Sequence, residues 1–270
     1  LVIGNSAYAH ASPLANPVND AGDMAAALRA LDVEVIVGLD LGKAGFDAKV
    51  REFSRALGDA DTGIFFYAGH GLQVAGRNHL VPVDARLESE RDLDFEAVGL
   101  DFVLKQMELE RETKTNIVFL DACRDNPLGR NLARSMGTRS ASVGRGLAQV
   151  QTGVGTFIAY STQPGNVALD GTGRNSPYAS ALLKYMGNPG DDLPTILINV
   201  RNDVMQATGR RQVPWEHSAL TAKFFFIPPK TTAQQVELEL QEGAVEHRNH
   251  RLGQLQGQGP KPRYRPGQFQ

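Results

Sequence analysis

Asn116-Ile117-Val118-Phe119-Leu120-Asp121-Ala122-Cys123-Arg124-Asp125-Asn126-Pro127 joins an apolar run to a charged turn. Ile117 to Leu120 has the length of a buried strand, and the run stops abruptly at Asp121. The strand carries the only cysteine of the chain, Cys123, to its C-terminal end. In an open parallel sheet, ligands and chemistry gather at those ends. Cys123 has two readings at this point: a small buried hydrophobe or a nucleophile.

The length of 270 residues suits one large α/β domain or two small ones, and a hydrophobic content of 41% supplies a sizeable core. Against 30 Asp and Glu, 28 Lys and Arg leave a formal charge of −2, so no global basic field points to nucleic acid. A single cysteine excludes an intramolecular disulfide and a Cys-rich zinc site, and the histidines show no metal-ligand spacing. No apolar run approaches the roughly 20 residues that span a bilayer. The sequence opens at Leu1 inside a strand pattern without an initiator Met, as a truncated N-terminus does. The compartment, cytoplasmic or exported, stays open.

Outward from the central stretch, strand and helix patterns alternate. Leu1 to Gly4 reads as a strand and Asn5 to Tyr8 as a polar turn. Asn16-Pro17 starts a helix, with Asn as N-cap and a stripe of Val18, Ala21, Met24, Ala25, Leu28 and Leu31. Asp20 lies in its first turn, where complementing the helix dipole is a sufficient structural role. Val33 to Val37 reads as a strand and Phe46 to Leu57 as an amphipathic helix. Thr62 to Ala68 is a continuously apolar strand running into Gly69-His70-Gly71. A hairpin (Leu72 to Val74, His79 to Val83), an acid-rich segment (Asp84 to Glu96) and a helix from about Val98 to Glu110 follow. Beyond Cys123, residues 124–150 hold five arginines and read as a long exposed loop. Gly155 to Tyr160 is a buried strand, Ser176 to Met186 and Leu193 to Ala207 are helices, and Lys223 to Ile227 is a last strand. Trp215-Glu216-His217 reads as packing and turn. Residues 228–270 form a low-complexity tail or linker, expected to be disordered, after a domain of residues 1–227. The tally is doubly wound α/β.

Two consecutive central strands thus end in His70 and Cys123, and right-handed crossovers place such ends together. A thiol is only a few per cent thiolate at neutral pH. A neighbouring imidazole can take its proton during attack on a carbonyl and return one to the leaving amine. Backbone N–H groups of Gly71 and Cys123 are candidate donors to the oxyanion. Asp121 shares a strand face with Cys123, where its charge opposes a thiolate but suits a cationic substrate side chain. Capping of local turn N–H groups is the competing role for Asp121. No phosphate loop and no G-x-S-x-G is present.

At these residues the chain resembles the caspase-like cysteine peptidases, and within them a bacterial branch of metacaspase or orthocaspase type. Tyr67-Ala68-Gly69-His70-Gly71 is similar to the family's histidine motif and Asp121-Ala122-Cys123-Arg124 to its cysteine motif, with the caspase spacing of about 50 residues. Asn16-Pro17-Val18-Asn19-Asp20-Ala21 and Gln163-Pro164-Gly165-Asn166 also fit bacterial members. The resemblance covers about Leu1 to Phe226. It implies the caspase-like (caspase–hemoglobinase) fold, a mostly parallel sheet of about six strands with helices on both faces. It also implies a His70/Cys123 dyad that cleaves peptide bonds through a thioester. Asp20 and Asp121 match metacaspase positions of an acidic pocket that takes Arg or Lys, so the expected substrates are proteins or peptides with basic residues. Ala68 departs from the serine found there in many metacaspases.

Many metacaspases also use calcium. Asp84, Asp92 and Asp94 are candidate ligands, but Arg130 stands where an acidic ligand is expected. No required cofactor is therefore anticipated, and a solvated acidic surface is the simpler reading of that segment. Family members often cut themselves between their large and small segments, which makes Arg130, Arg134, Arg139 and Arg145 candidate self-cleavage sites. The resemblance favours a monomer. The alternatives are a catalytically silent caspase-like interaction module and an α/β binding domain with a regulatory thiol.

Overall fold

The computed structural model describes residues 1–109, 111, 113–122, 143, 144, 147, 148, 150, 152–163, 166 and 168–230. Cys123, Arg124, Arg130, Arg134, Arg139, Arg145, Pro164, Gly165 and the chain from 231 onward lie outside the described residues. The chain divides after Ile227, and the architecture below is that of Leu1–Ile227.

The strands are β1 (Val2–Gly4), β2 (Val37–Leu39), β3 (Thr62–Ala68), β4 (Gly71–Val74) and β5 (Arg77–Leu80), then β6 (Val98–Gly99), β7 (Thr115–Asp121), β8 (Val143–Gly144), β9 (Thr156–Tyr160) and β10 (Trp215–Ser218). The helices are α1 (Pro17–Ala30), α2 (Lys43–Ala56), α3 (Leu93–Glu96), α4 (Leu100–Glu108), α5 (Pro177–Tyr185) and α6 (Leu193–Ala207). Six strands form the central sheet in the order β10-β9-β7-β3-β1-β2. All its pairs are parallel except β10 with β9. A smaller antiparallel sheet, β6-β5-β4-β8, stands beside it.

The two-residue period of a strand explains why the central runs are apolar throughout. Phe65 and Tyr67 of β3, with Val118 and Leu120 of β7, join the core under α2 and α4. Ile64, Phe66 and Ala68, with Ile117 and Phe119, join the core under α1, α5 and α6. Asp121 continues the Ile117–Phe119 register, so its side chain falls on the α1/α5 face. The expected α/β fold with a mostly parallel six-stranded sheet and helices on both faces is present.

Three expectations are corrected. The second strand pairs over Val37–Leu39 rather than Val33 to Val37. Asp32 takes a left-handed φ of 58° and Val33 N still bonds Leu28 O at 3.1 Å, so the chain leaves α1 late. The last strand is Trp215–Ser218, not Lys223 to Ile227, where only Phe225 makes an isolated bridge to Asp192. As an edge strand with polar, solvent-facing positions, Trp-Glu-His-Ser lacks the continuous apolar signature. The third concerns the 124–150 segment, where the described residues Leu147, Ala148 and Val150 are buried or partly buried rather than exposed. There β8 pairs with β4, Leu147 is buried, and Ala148 N and O both bond the Asn78 side chain at 2.7 Å.

Candidate active site

Strands β3 and β7 stay in register to the pair Ala68–Asp121, and Gly69 N reaches Asp121 O at 3.3 Å. In the sequence His70 and Cys123 each stand two residues beyond the end of their strand. Both tyrosines near His70 fix its backbone. His70 N donates to the Tyr8 hydroxyl at 2.7 Å, and its carbonyl accepts from Tyr67 Oη at 2.8 Å and Val81 N at 3.0 Å. Gly69 is required by this crowding: a Cβ there would lie 2.6 Å from Tyr8 Oη and 2.7 Å from Tyr67 Oη.

The His70 ring is buried against Tyr8, with centroids 4.4 Å apart, and its Nε2 lies 2.9 Å from Ser12 O. A carbonyl can only accept, so Nε2 carries the proton of the neutral ring and Nδ1 is the basic nitrogen. This orientation, held by the Ser12 carbonyl, is one that a general base can use.

Gly71 opens β4. Because the 70–81 pair is hydrogen-bonded, alternation makes Gly71–Leu80 a non-bonded pair and turns Gly71 N–H away from β5. A Cβ on Gly71 would lie 3.1 Å from Ala122 Cβ and 3.2 Å from Leu147 Cδ2. The glycine therefore lets the His70-Gly71 turn rest directly on the residue before Cys123. Cys123, the other expected oxyanion donor, lies outside the described residues.

Asp20 from α1 and Asp121 from β7 are both fully buried and converge on one residue. Ser176 N donates to Asp20 Oδ1 at 3.0 Å, while Ser176 Oγ donates to Asp121 Oδ2 at 2.5 Å. The same hydroxyl accepts from Ala179 N at 3.0 Å, capping α5, where Pro177 fits the first helical position. Tyr178 is buried beside them. Burial holds its hydroxyl well above the usual phenol range, and the negative charge of Asp121 adds to the shift. Asn16, expected as a side-chain cap of α1, makes no such bond and instead donates to Asp170 O at 2.5 Å.

The calcium candidates are engaged locally. Asp84 Oδ1 accepts from Lys43 N at 2.9 Å at the start of α2. Asp92 accepts from Ser89 N and Glu88 N, bonds that hold its carboxyl below the usual range. Asp94 lies 3.9 Å from Arg77. Among the described residues no group of three or more His, Cys, Asp or Glu side chains is placed to hold a metal ion. No described helix is long and apolar enough to cross a membrane.

With this geometry in place, comparison with known proteins is decisive for the family. The family model described as Caspase domain matches residues 1–225. The chain belongs to the caspase domain family. That family is one of cysteine peptidases. It is 35% identical over 124 residues to human mucosa-associated lymphoid tissue lymphoma translocation protein 1 and to its homologue from Mus musculus. Each match takes in 46% of this chain but only 15% and 14% of those relatives, so the chain spans a small part of their length. Caspase-1 from Spodoptera frugiperda shares the fold at a TM-score of 0.60 and 18% identity, over 85% of this chain and 89% of that one.

The residue pattern sets His70, Gly71 and Asp121 at neighbouring strand ends and the resemblance adds Asp20; in the structure His70 and Gly71 follow β3, and Asp20 and Asp121 meet at Ser176. Sequence reasoning missed Tyr8, Ser12, Tyr67 and Ser176. Ser176-Pro177 had a readable signal, a hydroxyl N-cap before a first-turn proline. Ser12 acts through its carbonyl, which no side-chain pattern can reveal.

Proposed function

We propose that this caspase domain is an endopeptidase that cleaves after Arg or Lys, with Cys123 as nucleophile and His70 as general base and acid. The family works through a cysteine, and Cys123 is the only one in the chain. In this reading His70 Nδ1 takes the thiol proton as sulfur attacks the scissile carbonyl carbon. The tetrahedral oxyanion receives the N–H groups of Gly71 and Cys123. His70 then returns the proton to the leaving amine, giving a thioester. Water, deprotonated by His70, attacks the thioester carbonyl and restores the thiol.

The single observation that carries the basic specificity is the convergence of two buried carboxylates, Asp20 and Asp121, beside the cysteine strand end. Two carboxylates gathered at one place suit a guanidinium or ammonium side chain of the substrate. The bacterial metacaspase or orthocaspase branch is the placement within the family that best fits this pair. No cofactor is needed for the chemistry, and Asp84, Asp92 and Asp94 act as local caps and surface charge. The substrates are proteins or peptides with basic residues, the working form is a monomer, and Arg130, Arg134, Arg139 and Arg145 are self-cleavage candidates.

Fluorogenic peptides matched except for their last residue test the reading. Those ending in Arg or Lys are cleaved, and the one ending in Asp is not. Cleavage after Asp, or of no peptide at all, contradicts it; the second result would favour a silent interaction module.

A further inference from the structure

We propose that Ser176 is a specificity-determining positioning residue: it fixes Asp20 and Asp121 as one rigid pair and so makes the pocket favour arginine over lysine. This rests on the pocket assignment above. The two carboxylates come from α1 and β7, far apart in sequence, and their described meeting point is Ser176. Its N–H orients one carboxylate and its hydroxyl orients the other, at 3.0 and 2.5 Å. The hydroxyl cannot rotate freely, because it also accepts the Ala179 N–H at 3.0 Å. One backbone and one side-chain group thus lock two acceptors to the N-terminus of α5, whose partial positive charge offsets bringing two like charges together.

The serine is itself held. The segment before it is laced onto α1, the helix that bears Asp20. Arg174 grips both oxygens of Asp23 at 2.9 Å, Asn175 donates to Asp23 at 3.0 Å, and Asn19 donates to Arg174 O at 3.1 Å. From the other side, buried Gln212 joins Ser161 O at 2.8 Å to Leu169 N at 3.0 Å. A fixed pair of acceptors suits the planar, five-donor fork of a guanidinium, whereas an ammonium is a point charge that tolerates movement of its partners. Preorganisation at Ser176 therefore contributes to arginine recognition more than to lysine recognition.

The test compares Ser176→Ala, Ser176→Gly and Ser176→Thr in the full chain on matched peptides ending in Arg and in Lys. Glycine keeps the backbone N–H to Asp20 and is a tolerable N-cap, so it serves if the alanine variant folds poorly. Loss of the hydroxyl is expected to lower kcat/KM for the Arg peptide about tenfold, mainly through KM, with a smaller change for Lys. The Arg-to-Lys ratio falls several-fold, and threonine, which keeps a hydroxyl, restores it. Equal losses on both peptides, or an unchanged ratio, overturn the proposal and leave the acidic pocket standing. A wild type that cleaves neither peptide overturns the pocket reading and this inference with it.

Discussion

Cys123→Ala abolishes turnover of arginyl peptides, by on the order of 10³-fold or more, while the chain keeps its circular dichroism spectrum and cooperative melt. Acyl transfer through a thioester has no route without the sulfur, because no second cysteine is present to replace it. His70→Ala produces a loss of similar size, and the double variant is no worse than either single one, since the two groups act as a unit. Intact-mass spectra provide a second readout. Wild type accumulates fragments cut after arginines within residues 124–150 during incubation, and the Cys123→Ala chain stays whole. Turnover retained by the folded Cys123 variant removes the nucleophile assignment.

Asp121→Asn carries the second large effect. The amide is nearly the same shape and its oxygen can still accept the Ser176 hydroxyl, so the change removes charge with little change in packing. Each carboxylate contact to a guanidinium is worth about 1.5–3 kcal/mol, or roughly tenfold to a hundredfold in kcat/KM. Peptides ending in Arg lose that factor, while a peptide ending in norleucine, with no charge to pair, changes little. Asp20→Asn acts in the same direction. Because both carboxylates bond Ser176, the double variant is expected to deviate from the product of the single effects. Equal losses on the arginyl and norleucyl peptides would show that Asp121 only supports the fold.

The parts legible in the sequence are those with a local signal. Continuous apolar runs at β3 and β7 announced strands covered on both faces, while the face that Asp121 is expected to share with Cys123 involves a residue outside the described ones. Glycines on both sides of His70 leave the backbone free for close approach, and at Gly69 the tyrosine hydroxyls take up that space. Edge elements were poorly legible. Trp215–Ser218 is half exposed and polar, whereas Phe224 and Phe226 pack on the core and Phe225 makes only an isolated bridge. The electrostatic setting of the site was also hidden. Ser12 contributes only a carbonyl, and Ser176 reads as an ordinary helix start although it joins residues from two distant elements. Such contacts depend on tertiary placement, which periodicity does not encode.

The most direct test of the central claim is covalent labelling read by mass spectrometry. A peptidyl arginyl chloromethylketone should add once, at Cys123, and the matched aspartyl reagent should not. Labelling should be lost in His70→Ala and slowed in Asp121→Asn. No adduct on Cys123, or equal labelling by the arginyl and aspartyl reagents, would contradict a cysteine peptidase with an acidic pocket beside its nucleophile.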